Sequence, residues 1–172
     1  VGEVRGAEVW DMLQAMNTGH EGSLTTIHAN SAMDALARME MMAAMTGFDL
    51  PIQVVRSYIA SGIRLVVHLA RLKGGARKIV QVCEVAGIED GQYHLEEVFG
   101  FEQTGIDEHG GATGNYYASG YRPVCLERIR AYGTALPDSL FDEGKRYPQA
   151  KTSDSASPEN GAQNEPVEIV IS

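Results

Sequence analysis

The stretch that constrains this chain most is its first thirty residues, VGEVRGAEVWDMLQAMNTGHEGSLTTIHAN. The chain enters in what reads as mid-strand and turns at Arg5-Gly6 into a helical period over Ala7 to Met16, with Val9, Leu13 and Met16 on one stripe. After a glycine-bracketed loop from Thr18 to Gly22, the β-branched run Ser23 to His28 reads as a second strand. Strand, helix and strand in so short a span predict an α/β fold with parallel core strands, because parallel neighbours need a crossover that a helix supplies. Glu3 and His28 stand at the ends of the two predicted strands. In open α/β sheets ligands sit beyond the carboxyl ends of adjacent strands, so an acid and an imidazole there predict phosphate chemistry in one crevice. A carboxylate so placed suits proton acceptance from an attacking water. The residues alone leave a second reading open, in which Glu3 is only a structural partner of Arg5.

Downstream the pattern continues in two parts. Ser31, with Asp34 three residues on, opens a helix carrying Leu36, Met39 and Ala43 towards Gly47, and Pro51 opens another with Ile52, Val55 and Ile59, ended by Gly62. From Ile63 the period changes. Ile63 to Leu72, Arg77 to Val85 and Gln92 to Phe101 are β-rich runs separated by Lys73-Gly74-Gly75 and Glu89-Asp90-Gly91, which predicts an antiparallel meander added to the parallel core. Thr104 to Gly120 reads as an irregular hairpin or loop, Leu126 to Tyr132 as a short helix, and Leu136 to Phe141 as the last apolar anchor. We therefore expect a domain over 1–145 and a tail over 146–172 too polar to order itself, with Val167 to Ile171 either a docking peptide or a loose end.

Composition removes several classes. A chain of 172 residues, 44% hydrophobic, suits one domain, and the formal net charge of -9 with pI near 5.0 opposes nonspecific nucleic-acid binding, which needs clustered Lys and Arg. Cys83 and Cys125 lack CxxC spacing and read as reduced core residues. His20, Glu21 and His28 raise a zinc site, but their spacing is not HExxH. No apolar run approaches the roughly 18 residues of a membrane span. The first residue is not methionine and already reads as strand, so the chain is expected to be part of a longer protein.

VGEVRGxE followed by MNTGHxGSLTTIHANS resembles the Walker B and His-box region of the type II/IV secretion ATPases, within them most nearly the CpaF-like branch that assembles tight-adherence (Flp-type) pili. The likeness runs on through ALARME, LPIQVVRSYIASGIRLVVHLARL, EVAGIEDGQY and VFGF to LPDSLF. It implies the C-terminal part of a RecA-like ATPase domain that hydrolyses ATP with Mg2+. Glu3 is then catalytic, with magnesium held directly or through water, since Gly2 stands where a Walker B aspartate falls, and His28 senses the nucleotide; Arg5, Glu8, Thr26 and Asn30 are candidate supporting residues, Arg5 and Glu8 open between bridging each other, a neighbouring subunit and phosphate, and Thr25, Thr26 and Asn30 structural by default. The resemblance also implies a homo-hexamer at the cytoplasmic face of the inner membrane, docked to a membrane platform protein. A conjugation or type IV secretion ATPase is the alternative within the superfamily, and a noncatalytic ring-assembly module the alternative outside enzymology. No GxxxxGK[ST] phosphate loop occurs in the 172 residues.

Overall fold

The computed structural model describes residues 2–18, 22–47, 49–75 and 77–148, together with the backbone of Pro166–Val170. Three helices come first. α1 (Glu8–Asn17), α2 (Ala32–Ala44) and α3 (Ile52–Gly62) bury Val9, Met12, Leu13 and Met16, then Leu36, Met39 and Met42, then Val55 and Ile59, along stripes of helical period. Ser31 caps α2, its hydroxyl accepting the Asp34 amide at 3.1 Å. Ile52 departs from its predicted place in the α3 stripe: at the first turn it faces solvent, 39% exposed.

Between α1 and α2 lies β1 (Leu24–His28); after α3 come β2 (Leu65–Arg71), β3 (Arg77–Glu89), β4 (Gln92–Ile106), β5 (Ala112–Ala118), the short α4 (Cys125–Ala131), a 3-10 turn (Asp138–Phe141), β6 (Arg146–Pro148) and β7 (Pro166–Val170). The strands form one sheet in the order β1-β7-β2-β3-β4-β5-β6, and every strand pair among the described residues is antiparallel. The mixed α/β class and the meander are as expected. The parallel core pairing is not among these pairs: β1 lies beside β7, which runs against it. Gly2 to Val4 has no strand partner of its own and touches β1 through the Val4 amide, which donates to the Thr26 carbonyl at 3.1 Å.

The predicted turns are the clearest local success of the sequence. Asp90 (φ 48°) and Gly91 (φ 75°) both adopt the left-handed backbone that a two-residue hairpin with matching twist requires. Thr104 to Gly120, left open between hairpin and loop, is a hairpin of β4 and β5. Asp107 holds its turn by accepting the amides of His109 (2.9 Å) and Gly111 (2.7 Å). A glycine is needed at Gly100 because the Tyr117 ring lies across it; a Cβ there would come within 2.3 Å of the ring.

Two cores result. The larger packs the three helices on Ile27, Val66, Cys83 and Val85; the smaller joins Val98, Leu126 and Phe141, with Phe99 and Phe141 rings 5.5 Å apart. Glu84, 4% exposed, pins the segment before α4 to β3, accepting the Tyr121 hydroxyl (2.7 Å) and the amides of Val124 (2.9 Å) and Cys125 (3.1 Å). Arg56 of α3 reaches Glu40 of α2 at 2.8 Å and the Gly91 carbonyl at 2.5 Å, tying the helices to the β3–β4 turn. Of the stretch 146–172 read as a tail, Arg146–Pro148 and Pro166–Val170 are strands, and 149–165 lie outside the described residues.

Candidate functional site

Residues 2–5 and β1 are brought together by hydrogen bonds that need no distant partner. Besides the Val4 amide, the Thr26 hydroxyl donates to the Gly2 carbonyl at 2.5 Å, so Thr26 is a clamp between the two segments. This sets Glu3 beside the last residue of β1. One carboxylate oxygen of Glu3, Oε1, lies 3.2 Å from His28 Nε2, and the other, Oε2, lies 2.5 Å from Arg5 Nη2. The acid and the imidazole predicted to share a crevice thus meet, and the Arg5 partner of the structural reading is present as well.

The site is open to solvent: side-chain exposure is 25% for Glu3, 44% for His28 and 75% for Arg5. The Arg5 guanidinium, through its hydrogen bond first and its charge second, holds the Glu3 carboxyl below the usual carboxylate range, with His28 and Arg38 adding in the same direction. Glu3 is therefore ionised through the neutral range and able to receive a proton. It gains basicity only when Arg5 turns away.

Glu8 has a local task. Its carboxylate accepts the Arg5 amide at 2.8 Å, which fixes the turn into α1, and backbone hydrogen bonds depress its pKa. Thr25 is buried in the core and its hydroxyl finds no protein partner, which removes it from the exposed cluster. Asn30 is exposed between β1 and the Ser31 cap. His20 and Glu21, the other members of the zinc reading, lie outside the described residues; among the described residues no three His, Cys, Asp or Glu side chains are grouped to hold a metal. At Gly2 an added Cβ would meet nothing within 4 Å, so no crowding forbids a side chain at the position where an aspartate was expected.

Sequence reasoning missed Arg38. From the exposed side of α2 it donates to the His28 carbonyl at 2.9 Å, holding the end of β1 and adding a second cation near Glu3. Spacing carries no signal for it, since α2 must first fold back over β1. A separate cleft of about 370 Å3, lined by Trp10, Gln14, Leu50, Val54 and Tyr58, lies on the α1–α3 face. Its walls are mainly apolar and carry no basic side chain to hold phosphate. Among the described residues no helix is long and apolar enough to cross a membrane.

The chain is 44% identical over 82 residues to the putative conjugal transfer protein Rv3659c of Mycobacterium tuberculosis (strain ATCC 25618 / H37Rv), covering 48% of this chain and 23% of that protein. It is 34% identical over 103 residues to the conjugal transfer protein TrbB of Rhizobium radiobacter, 60% and 30% of the two chains. With the type IV secretion system protein PtlH of Bordetella pertussis it shares 41% identity over 81 residues, 45% and 24%. The matched segments thus span less than a third of each of these relatives. Residues 1–116, which include the Glu3–His28 site, match the family described as T2SSE, Type II/IV secretion system protein, and the chain belongs to that family.

Proposed function

We propose that the protein containing this chain is an ATPase that drives secretion or pilus assembly, and that Glu3 and His28 form the hydrolytic and sensing half of its site. The observation that carries the reading is the 3.2 Å approach of Glu3 to His28 at the surface, within the segment that matches the family. A bridge serving structure alone is complete with Arg5 and has no need of the imidazole.

In this reading Glu3 accepts a proton from water or orients it, and Arg5 keeps the carboxylate ionised until nucleotide arrives. His28 offers a ring nitrogen to the third phosphate, and Arg38 fixes the backbone that carries it. The carboxylate is a hard oxygen donor of the kind magnesium takes, and Glu3 would hold the ion, directly or through water. Magnesium supplies neutralisation of phosphate charge. The phosphate cradle and its lysine come from residues outside this chain, consistent with the RecA-like domain, the parallel core, the homo-hexamer and the docking to a membrane platform at the cytoplasmic side that we propose for the whole protein.

The finer assignment is to the CpaF-like pilus branch, on the motifs from Gly105 to Phe141. A second reading, a conjugation or type IV secretion ATPase, is favoured by the names of the relatives. Both share the proposed chemistry. In the natural full-length protein Glu3→Gln is expected to retain ATP binding and to lower turnover by about 100-fold. Turnover within a few-fold of wild type in a folded variant would return Glu3 to the structural reading.

A further inference from the structure

Charge is spread unevenly over the segment that builds the site. Residues 1–49 hold seven Asp and Glu but only two Lys or Arg, and both of these, Arg5 and Arg38, come to the end of β1. Side chains on a helix lean towards its N-terminus, which for α2 is the end beside His28, so a long side chain in the second turn can reach back over β1. Arg38 does so, its Nη1 donating to the His28 carbonyl at 2.9 Å. The two guanidiniums are engaged differently. Arg5 is ion-paired with Glu3 at 2.5 Å. Arg38 has a neutral acceptor, and among the described residues this is its single hydrogen bond; Asp34, four residues before it and a natural partner on a helix, makes no ion pair with it. A guanidinium carries five N–H donors in a planar fork, so the bond from Nη1 leaves the Nη2 and Nε hydrogens for another acceptor. The side chain is exposed, and its charge is felt at Glu3, whose carboxyl Arg5 foremost holds below the usual range.

We propose that Arg38 is a phosphate-binding residue of this site: it keeps Nη1 on the His28 carbonyl and gives its free edge to the third phosphate of the nucleotide. The inference rests on the ATPase reading above and adds to it a cation supplied by this chain. A bond between a guanidinium and a phosphate oxygen is charge-assisted and about twice as strong as one between neutral groups, and the fork allows two at once. The site calls for such a group. Glu3 is an anion and repels the phosphates, while Arg5 is already engaged with it. A cation held by a neutral carbonyl offsets that repulsion without taking a bond from the Glu3 carboxylate. Negative charge on the transferred phosphoryl oxygens is then met from the same chain that provides the proton acceptor. Because one guanidinium touches both the His28 backbone and the phosphate, a single side chain sets the place of the imidazole and of the fork. ADP, without the third phosphate, leaves the fork empty.

The test uses the natural full-length protein with magnesium and reads steady-state turnover, the affinities for ATP and ADP, and the melting temperature. Arg38→Ala is expected to lower turnover by about 100-fold and ATP affinity by about tenfold, with ADP affinity and melting temperature nearly unchanged, since the lost contact is to the third phosphate alone. Arg38→Lys keeps the charge without the fork and is expected to lose about tenfold in turnover. A cycle with His28→Ala separates a phosphate contact from a role exerted only through the imidazole: in the His28→Ala background, Arg38→Ala is expected to lower turnover by about a further tenfold. No further loss in that background overturns the proposal and leaves Arg38 a holder of His28. So does an equal fall in the ATP and ADP affinities, or turnover within a few-fold of wild type in both Arg38 variants. Should Arg38→Ala fail to fold, Arg38→Lys decides: about tenfold lower turnover at an unchanged melting temperature supports the contact, and wild-type turnover overturns it. If Glu3→Gln lowers turnover and the Arg38 variants do not, this inference alone falls. If Glu3→Gln changes nothing, the ATPase reading of the site falls and takes this inference with it.

Discussion

The two buried charges of the meander from β2 to β6, Lys78 and Glu84, are used up by fixed partners, whereas along residues 2–5 and β1 the charged groups stay nearer the surface and face one another. Glu84 and Glu3 mark the difference. Glu84 is 4% exposed and satisfied by a tyrosine hydroxyl and two amides that cannot leave. Glu3 is 25% exposed and shared between a guanidinium and an imidazole, both on side chains more exposed than its own. A buried carboxylate with neutral donors is a fastening; an exposed one shared by a guanidinium and an imidazole is a group whose partners a ligand can replace.

That contrast can be broken in order of size. Glu84→Leu should lower stability by about 3 kcal/mol, because the Tyr121 hydroxyl and two amides are left without a partner in a dry site; urea titration reads it, and a loss near zero would make Glu84 dispensable. Gly100→Ala should cost about 2 kcal/mol by forcing the Tyr117 ring off the strand, visible as a lowered melting temperature with an unchanged far-ultraviolet spectrum. At the surface site the same measurements should scarcely move. There, His28→Ala in the full-length protein should leave the melting temperature nearly unchanged and bring the affinities for ATP and ADP closer together, since a donor to the third phosphate adds affinity for ATP alone. Equal ATP-to-ADP ratios in variant and wild type would remove the sensing role.

The smallest effect expected belongs to His94, which sits between Glu96 and Glu89 at 2.7 Å from each. Both carboxylates, Glu96 foremost, raise its pKa above the ordinary 6.5. A raised folded-state value means that the stabilisation is complete below about pH 6.5 and is lost as pH rises through the folded value. The stability difference between wild type and His94→Gln should therefore be largest in mild acid and vanish in alkali. Glu3 has the opposite sign: its lowered pKa gives stabilisation present above 4.5 and lost as pH falls through the folded value.

Much of this was legible in the residues because the signals are local. Val9, Leu13 and Met16 recur with the period of one helix face, and Asp90-Gly91 needs nothing beyond its own backbone to make a hairpin. The approach of Glu3 to His28 was legible too, since both lie at the ends of segments that a short helix must bring back side by side. What stayed hidden acts over long separations. Glu84 meets donors 37 to 41 residues away. Arg38 reaches His28 only after α2 has docked. β7 was only half legible: Val167 to Ile171 reads as either a docking peptide or a loose end, because PVEIV lies in a polar, Ser- and Pro-containing stretch and its partners β1 and β2 are far away in sequence.

The single tryptophan has an optical consequence. Trp10 gives its indole hydrogen to the Ala43 carbonyl and the Thr46 hydroxyl, with its ring centre 5.8 Å from that of Tyr58. Its emission therefore reports on α1, α2 and α3 together and on nothing in the meander. Excitation at the red edge of the tryptophan band follows the loosening of the helical layer, while excitation that includes the tyrosines adds the sheet through Tyr93, Tyr116, Tyr117 and Tyr147 to the helical signal of Trp10 and Tyr58, so the difference between the two weights the sheet. Two wavelengths on one unlabelled sample then time the two regions separately as the chain unfolds.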